Sequence, residues 1–288
     1  MNVVYIGIGI TLLCILIVTF YFYGSRWLFK LASSQHVVIK NSSRWLLKWL
    51  VRWISSHIVS IKIMNERDIA ADMIMSKIGD SIKEFNIIQH TKDNYTILEI
   101  PALLTAEECD EIVETAKAVG MEDSEVTNYD NDFLTKVDEN HRKSKQLFLP
   151  DSTGPLFEKI ANITHKITKL PIKNQEMVQI VSYEEGGRFD EHFDGCIYDD
   201  ITYCNKVNRN AGERKATLLM YLNDNFEGGE TEFVYLDIKI KPKKGKAILF
   251  INTTDDQKII GESMHCGHPV YKGQKWICTK WIHFKEYI

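Results

Sequence analysis

The chain has 288 residues, of which 44% are hydrophobic and 26% charged, with a formal net charge of −4. Such fractions exclude a disordered chain, and the length allows one sizeable domain plus an appendage. From Gly24 to Asn65 the charged residues are Arg26, Lys30, Lys40, Arg44, Lys48, Arg52 and Lys62, all basic. A basic neck on an acidic body points to a membrane surface as a partner rather than to nucleic acid.

Residues 1–24 form the first predicted element. The run VVYIGIGITLLCILIVTFYFYG carries no charge and is long enough to span a bilayer. It exceeds the apolar core of a signal peptide, and no A-x-A-like cleavage site follows it. It is therefore read as an uncleaved, single-pass transmembrane helix. Residues 25–65 follow as a basic, aromatic juxtamembrane segment. Within RWLLKWLVRWI, Arg44, Lys48 and Arg52 recur every fourth residue, and Trp45, Trp49 and Trp53 make the adjacent stripe. A helix of that pattern lies among lipid headgroups. Residues 66–97 connect this neck to the folded body, residues 98–288.

Two helices are predicted early in the body. LTAEECDEIVETAKAVG, 104–120, places Thr105 and Glu108 at capping-box spacing and ends on Gly120. Cys109, Ile112, Ala116 and Val119 make its apolar face. The second helix runs from about Pro155 to Lys169, with Leu156, Ile160, Ile163 and Ile167 on its buried stripe. After Pro171 the texture changes to short β-rich runs: 177–183, FDEHFDG (189–195), 216–222, 231–236, 246–251 and 275–284. Short strands separated by turn signals predict a β-sandwich, barrel or jelly roll, buttressed by the preceding helices. Of the six cysteines, Cys14 lies in the anchor. Cys109, Cys196, Cys204, Cys266 and Cys278 remain, with no C-x-x-C spacing and room for at most two internal pairs.

The stretch RFDEHFDG sets His192 and Asp194 two residues apart. On a strand, residues two apart share a face, so one imidazole and one carboxylate would meet the same pocket. Two histidines and one carboxylate on one side of an ion suit non-haem Fe(II), because the opposite positions stay open. SMHCGHPV supplies the candidates for the second histidine, His265 and His268, and spacing alone does not choose between them.

Three longer runs add specificity: YEEGGRFDEHFD, then RKATLLMYLNDNFEGGETEF, then HCGHPVYKGQKWICTKWIH. In this order they resemble the prolyl 4-hydroxylase family of Fe(II)- and 2-oxoglutarate-dependent dioxygenases, over roughly residues 98–288. The anchor before such a domain resembles the membrane-anchored, single-chain type. The resemblance implies a mainly β fold with flanking helices, its catalytic core a double-stranded β-helix, or jelly roll. It implies metal ligands His192, Asp194 and His265, the last chosen by its place ten residues before Lys275. Lys275 is implied to pair with the distal carboxylate of 2-oxoglutarate, since a dianion entering a narrow barrel must meet a fixed cation. Tyr183 and Thr217 match positions that hydrogen-bond the same co-substrate. Arg214, Trp281 and Arg142 match residues near a peptide groove. Phe189 stands where the family usually has tyrosine, which removes a hydroxyl near the substrate. The segment after ETEF also lacks the family's usual proline.

The implied reaction is hydroxylation of peptidyl proline in proline-rich or collagen-like peptides. Fe(II) and ascorbate are the implied cofactors, 2-oxoglutarate and O2 the co-substrates, succinate and CO2 the co-products. The alternatives are hydroxylation of lysine or another protein side chain, an idle membrane-anchored peptide-binding module, and a zinc hydrolase on a similar barrel. A lysine at 275, where lysyl hydroxylases usually carry arginine, favours the prolyl branch. Anchored relatives face the lumen of the endoplasmic reticulum, and the sequons at Asn41, Asn94, Asn162 and Asn252 are compatible with that side. Arg26 and Lys30, just after the anchor, favour the cytoplasmic alternative. The lumenal reading is adopted. Oligomeric state and partner subunits are left unread.

Overall fold

The computed structural model describes residues 85–127, 135–197 and 201–288, all within the compact unit Ile61–Ile288. The expected anchor at 1–24, the juxtamembrane segment at 25–65 and residues 66–84 of the connecting segment lie outside the described residues. No helix among the described residues is long and apolar enough to cross a membrane.

In chain order, β1 (Ile88–Lys92) and β2 (Tyr95–Ile100) form a hairpin, followed by helix α1 (Ala106–Val119). Short strands β3 (Glu122–Asp123), β4 (Glu125–Thr127), β5 (Thr135–Val137) and β6 (Arg142–Lys143) lead to β7 (Lys145–Leu149) and helix α2 (Pro155–Thr168). Then come β8 (Val178–Tyr183), β9 (Arg188–His192), the short helix α3 (Ile201–Val207) and β10 (Arg214–Tyr221). The chain continues through β11 (Glu227–Gly228), β12 (Thr231–Phe233), β13 (Ile238–Ile240) and β14 (Ala247–Ile251). It ends with β15 (His265–Gly267), β16 (Val270–Lys272) and β17 (Lys275–His283).

The strands build an eight-stranded antiparallel sheet in the order β1-β2-β14-β10-β17-β8-β7-β3 and a five-stranded sheet in the order β13-β12-β15-β9-β6. The pairs β11-β16 and β4-β5 stand beside them. The fold is thus mainly β with flanking helices, as expected of a jelly roll. Both faces are covered along the central strands of the larger sheet, and strand parity sorts their side chains between two cores. On β10, Ala216, Leu218 and Met220 face one core, which also takes Ile112 and Ala116 of α1 and Leu156, Ile160 and Ile167 of α2. The intervening Leu219 and Tyr221 face the other core, with Phe250 of the larger sheet and Phe233 and Ile240 of the smaller one. This second core lies between the sheets. On β17 the helix-side core takes Trp276, Cys278 and Ile282, so Lys275, Ile277, Thr279 and Trp281 face the interior.

Local chemistry explains the helix ends. Thr105 Oγ1 accepts from the Glu108 amide and Glu108 returns a hydrogen bond to the Thr105 amide, closing the predicted capping box. Pro155 begins α2, where its missing N–H costs nothing.

Several elements differ from expectation. The β1-β2 hairpin carries the sheet back ahead of the boundary at residue 98, because β2 pairs with β14 and buries Ile97 and Ile100. Strand β7 pairs with β8 in the larger sheet, although KQLFL between charged loops offered only a short alternation. The expected strand 231–236 ends at Phe233, and residues 234–236 turn as a 3-10 helix. Strand β9 ends at His192, so Asp194 lies in the bend beyond it rather than on the strand. Cys196 and Cys204 form a disulfide, while Cys109 and Cys278 are buried thiols and Cys266 is a partly exposed one.

The helix-side core is the foundation of the sheet. Truncating the fully buried Leu218 to alanine is expected to lower unfolding free energy by about 2–5 kcal/mol, seen as a fall in the urea midpoint. An unchanged midpoint would contradict the assignment of its face.

Candidate active site

The interior between the sheets narrows to a pocket lined by Tyr183, Phe189, His192, Asp194, Thr217, His265, Lys275 and Trp281. It opens past Phe189, His192, Asp194 and Trp281 into a broader groove edged by Glu125, Lys136, Arg142 and Arg214. Register explains how distant residues meet. His265 on β15 lies directly opposite His192 on β9, while Lys275 lies opposite Tyr183 and Thr217 opposite Trp281.

His192 and Asp194, at the end of β9 and in the bend after it, converge with His265 of β15. The Nδ1–H of His192 donates to the Asp190 carbonyl at 2.7 Å, and that of His265 to the Ser263 carbonyl at 2.9 Å. A carbonyl can only accept, so Nδ1 carries the hydrogen in both rings and each Nε2 keeps a lone pair for a metal. The two Nε2 atoms lie 3.7 and 3.9 Å from Asp194 Oδ1. The other carboxylate oxygen, Oδ2, accepts from Thr217 Oγ1 at 2.6 Å. Three lone-pair atoms therefore face one point, and the rest of each side chain is held by the protein. Burial, reinforced by His265, pushes the His192 imidazole down to about 3, so it is neutral and ready to ligate. Burial opposes charge on Asp194, but the imidazoles of His265 and His192, with Arg214 and Thr217, outweigh it and hold the carboxyl below its usual range. Two imidazoles and one carboxylate fit Fe(II) with open positions.

Across the pocket, Lys275 is only 2% exposed. Among the described residues no carboxylate lies within 4 Å of its ammonium, whose nearest aromatic neighbour is the Tyr183 ring at 5.2 Å. Burial pulls it down to about 8, only partly offset by Glu230 and Cys266. A buried cation without a carboxylate partner is costly unless an anion joins it. Gly228 and Gly229, both at positive φ, let β11 pass close by. A Cβ at Gly228 would lie 2.4 Å from the Pro269 carbonyl, and one at Gly229 3.0 Å from Lys275 Cδ.

Thr217 lines the pocket, yet its hydroxyl is committed. It donates to Asp194 and accepts from Asn252 Nδ2 at 2.8 Å, so it supports the carboxylate rather than offering a donor to a co-substrate. Asn252 is fully buried, which removes its sequon from the possible glycan sites; Asn94 and Asn162 are exposed. Arg214 grips Glu176 through two nitrogens at 2.5 and 3.1 Å and donates a third bond to the Asp194 carbonyl at 3.1 Å. Its plane stacks on Trp281 at 3.6 Å. Against burial, Arg214 and His283 hold Glu176 down to about 2. Arg142 stacks over Phe189 at 4.6 Å, and Phe189 stacks on His192 at 3.5 Å. The aromatic ring at 189 thus holds the imidazole in place without a hydroxyl. Glu176 and the carbonyls of Asp190 and Ser263 were not singled out from sequence, and Asn252 was singled out only as a sequon. Asp190 and Ser263 stand inside the RFDEHFDG and SMHCGHPV runs, but a backbone carbonyl leaves no mark in a sequence.

Replacing Thr217 by valine keeps the shape and deletes the hydrogen bond that holds Asp194. Affinity for a divalent metal is expected to fall by about 10- to 100-fold, measured by competition with a chelator. Unaltered affinity would mean that Thr217 does not position the carboxylate.

A profile of the 2OG-Fe(II) oxygenase superfamily matches residues 178–283. Probable prolyl 4-hydroxylase 8 of Arabidopsis thaliana is 34% identical over 203 residues, covering 64% of this chain and 67% of that protein. A putative prolyl 4-hydroxylase of Acanthamoeba polyphaga mimivirus is 28% identical over 81% of this chain and 88% of its own length. Among solved structures, the viral collagen prolyl hydroxylase of Paramecium bursaria Chlorella virus-1, crystallised as a 2OG complex, aligns with a TM-score of 0.52. It is 31% identical and covers 65% of this chain and 94% of that one. The matched residues hold the buried donor set and the facing lysine, and the chain belongs to the prolyl 4-hydroxylase family of Fe(II)- and 2-oxoglutarate-dependent dioxygenases.

Proposed function

We propose that this dioxygenase hydroxylates proline at C4 within extended, proline-rich or collagen-like peptides, releasing succinate and CO2. The observation that carries the reading is the pairing of a two-histidine, one-aspartate donor set with a buried, carboxylate-free lysine across one pocket. An open groove leads to that pair, which suits a peptide already extended in polyproline II form.

In this proposal His192, Asp194 and His265 hold Fe(II), and Lys275 receives the distal carboxylate of 2-oxoglutarate. Bound Fe(II), with 2-oxoglutarate and O2, supplies the oxidising power to hydroxylate an unactivated C–H bond, and ascorbate keeps the metal reduced. The protein orients the reactants and excludes water. Thr217 aims the carboxylate, Arg214 holds the backbone of Asp194, the carbonyls of Asp190 and Ser263 aim the imidazoles, and Phe189 shields the His192 ring. Tyr183, opposite Lys275, borders the co-substrate. Trp281 and Arg142 line the approach of the peptide.

We also propose that residues 1–24 anchor the chain in a membrane and residues 25–65 lie on its surface, with the catalytic domain in the lumen of the endoplasmic reticulum. The Cys196–Cys204 disulfide supports this side, since such bonds persist in oxidising compartments. A glycosidase-sensitive mobility shift of the full chain in cells is expected; its absence would place the domain in the cytoplasm.

Asp194→Ala removes the one anionic protein ligand and is expected to abolish peptide-dependent succinate formation. Full turnover by that variant would overturn the metal assignment. Lys275→Ala deletes a charge-assisted contact of about 1.5–3 kcal/mol, so the 2-oxoglutarate requirement should rise on the order of 10- to 150-fold. Because burial lowers the Lys275 pKa to about 8, its positive charge is present below that pH and lost above it. The 2-oxoglutarate KM of the unaltered chain is therefore expected to climb as pH rises through about 8. Lys275→Arg should flatten that climb, because a guanidinium keeps its charge. A flat wild-type profile would contradict the role.

A further inference from the structure

We propose that Glu232, Cys266 and His268 form a second metal site, for a borderline-soft divalent ion of the zinc class, on the outer face of the smaller sheet. Strand parity places it there. On β12, Thr231 and Phe233 point inward: Thr231 Oγ1 accepts from the buried Tyr221 hydroxyl at 2.8 Å, and Phe233 sits in the inter-sheet core. The intervening Glu232 therefore faces outward. Cys266 lies directly opposite Glu232 in the β12-β15 pairing and shares that face, while His265 beside it faces the interior. The chain stays tied to β12 beyond β15, because the His268 amide donates to the Glu230 carbonyl at 2.9 Å. His268 Nε2 consequently reaches Glu232 Oε2 at 2.5 Å.

The sulfur, imidazole nitrogen and carboxylate oxygen all lie within 4.8 Å of one another. All three residues are partly exposed, so an ion can enter without opening the core. The chemistry differs from that of the catalytic pocket. A thiolate beside an imidazole and a carboxylate favours zinc, whereas the pocket offers no sulfur among its converging ligands. Binding exchanges the thiol proton and the His268–Glu232 hydrogen bond for bonds to the metal, and the protons pass to solvent. Lys239, 3.3 Å from Glu232, is the resident counter-charge, and its half-exposed side chain can swing away. Among the described residues the other free thiols, Cys109 and Cys278, are buried, and the cysteines beside Glu213 are joined as a disulfide. An occupied site would clamp β15 to β12, one residue from His265, and so stiffen the strand that carries a ligand of the catalytic metal.

The test is a Co(II) titration of the full chain in detergent micelles, stripped of metal beforehand. Two equivalents are expected, one of them with the near-ultraviolet charge-transfer absorption that only a thiolate ligand gives. Cys266→Ser should lose that band and one equivalent while keeping the other, and the retained equivalent reports an intact fold. His192→Ala should keep the band. His268→Ala should weaken the band-forming event by at least the roughly tenfold that a lost metal-site partner costs. Absence of the band from the unaltered chain, or its persistence in Cys266→Ser, would overturn the proposal.

Discussion

The constraint on which the molecule depends is that the central strands of its larger sheet are buried on both faces. Each of those strands must satisfy two environments with one alternating row of side chains. On β10 and β17 the odd and even positions are assigned to different tasks. One set, including Leu218, Met220, Trp276 and Ile282, packs on the helices. The other set includes Thr217, Lys275 and Trp281, which line the pocket. A slip of one residue in either strand would put the pocket lysine against the helices and a core residue in the pocket. The antiparallel pairing of β10 with β14 and β17 therefore secures the fold and the site together.

The site shows how a protein interior can hold opposite charges apart and still use both. At one end the His192 imidazole is kept neutral and the Asp194 carboxylate is kept ionised, the states in which both can donate electron pairs. At the other end Lys275 has no carboxylate within reach among the described residues. A buried ammonium without such a partner is an unfavourable state in isolation. In the function proposed above it becomes favourable when a dianionic co-substrate spans the pocket, with one end for the metal and the other for the lysine. The cost of burying the cation is thus offset by binding.

Much of the precision comes from residues that touch neither metal nor co-substrate. Asp194 lies in a bend beyond the end of β9, where strand geometry no longer aims it. Its carboxylate is aimed by Thr217, and Thr217 by Asn252. Its backbone is held by Arg214, which Glu176 and the face of Trp281 keep in place. The Arg142–Phe189–His192 stack steadies an imidazole in the same way. A ring that lacks a hydroxyl serves here through its face.

The sequence by itself determined the order of motifs, the two flanking helices with the capping box at Thr105, the β-rich body, and the residue types able to hold Fe(II) and a dianion. These follow from local spacing and side-chain chemistry, which the chain carries without folding. Within SMHCGHPV itself, His265 and His268 were equal candidates; the family resemblance preferred His265, and tertiary structure gives the physical reason. His265 faces His192 across a strand pair, while His268 meets Glu232 outside the barrel. Tertiary structure also gave Thr217 to Asp194, paired Cys196 with Cys204, buried the Asn252 sequon and brought the β1-β2 hairpin into the larger sheet. The Thr217–Asp194 contact and the β2–β14 pairing join residues far apart in the chain, the disulfide joins cysteines eight residues apart that spacing did not mark, and the burial of Asn252 depends on what packs around it. Pleat parity and register decide such matters only once the strands have found their partners.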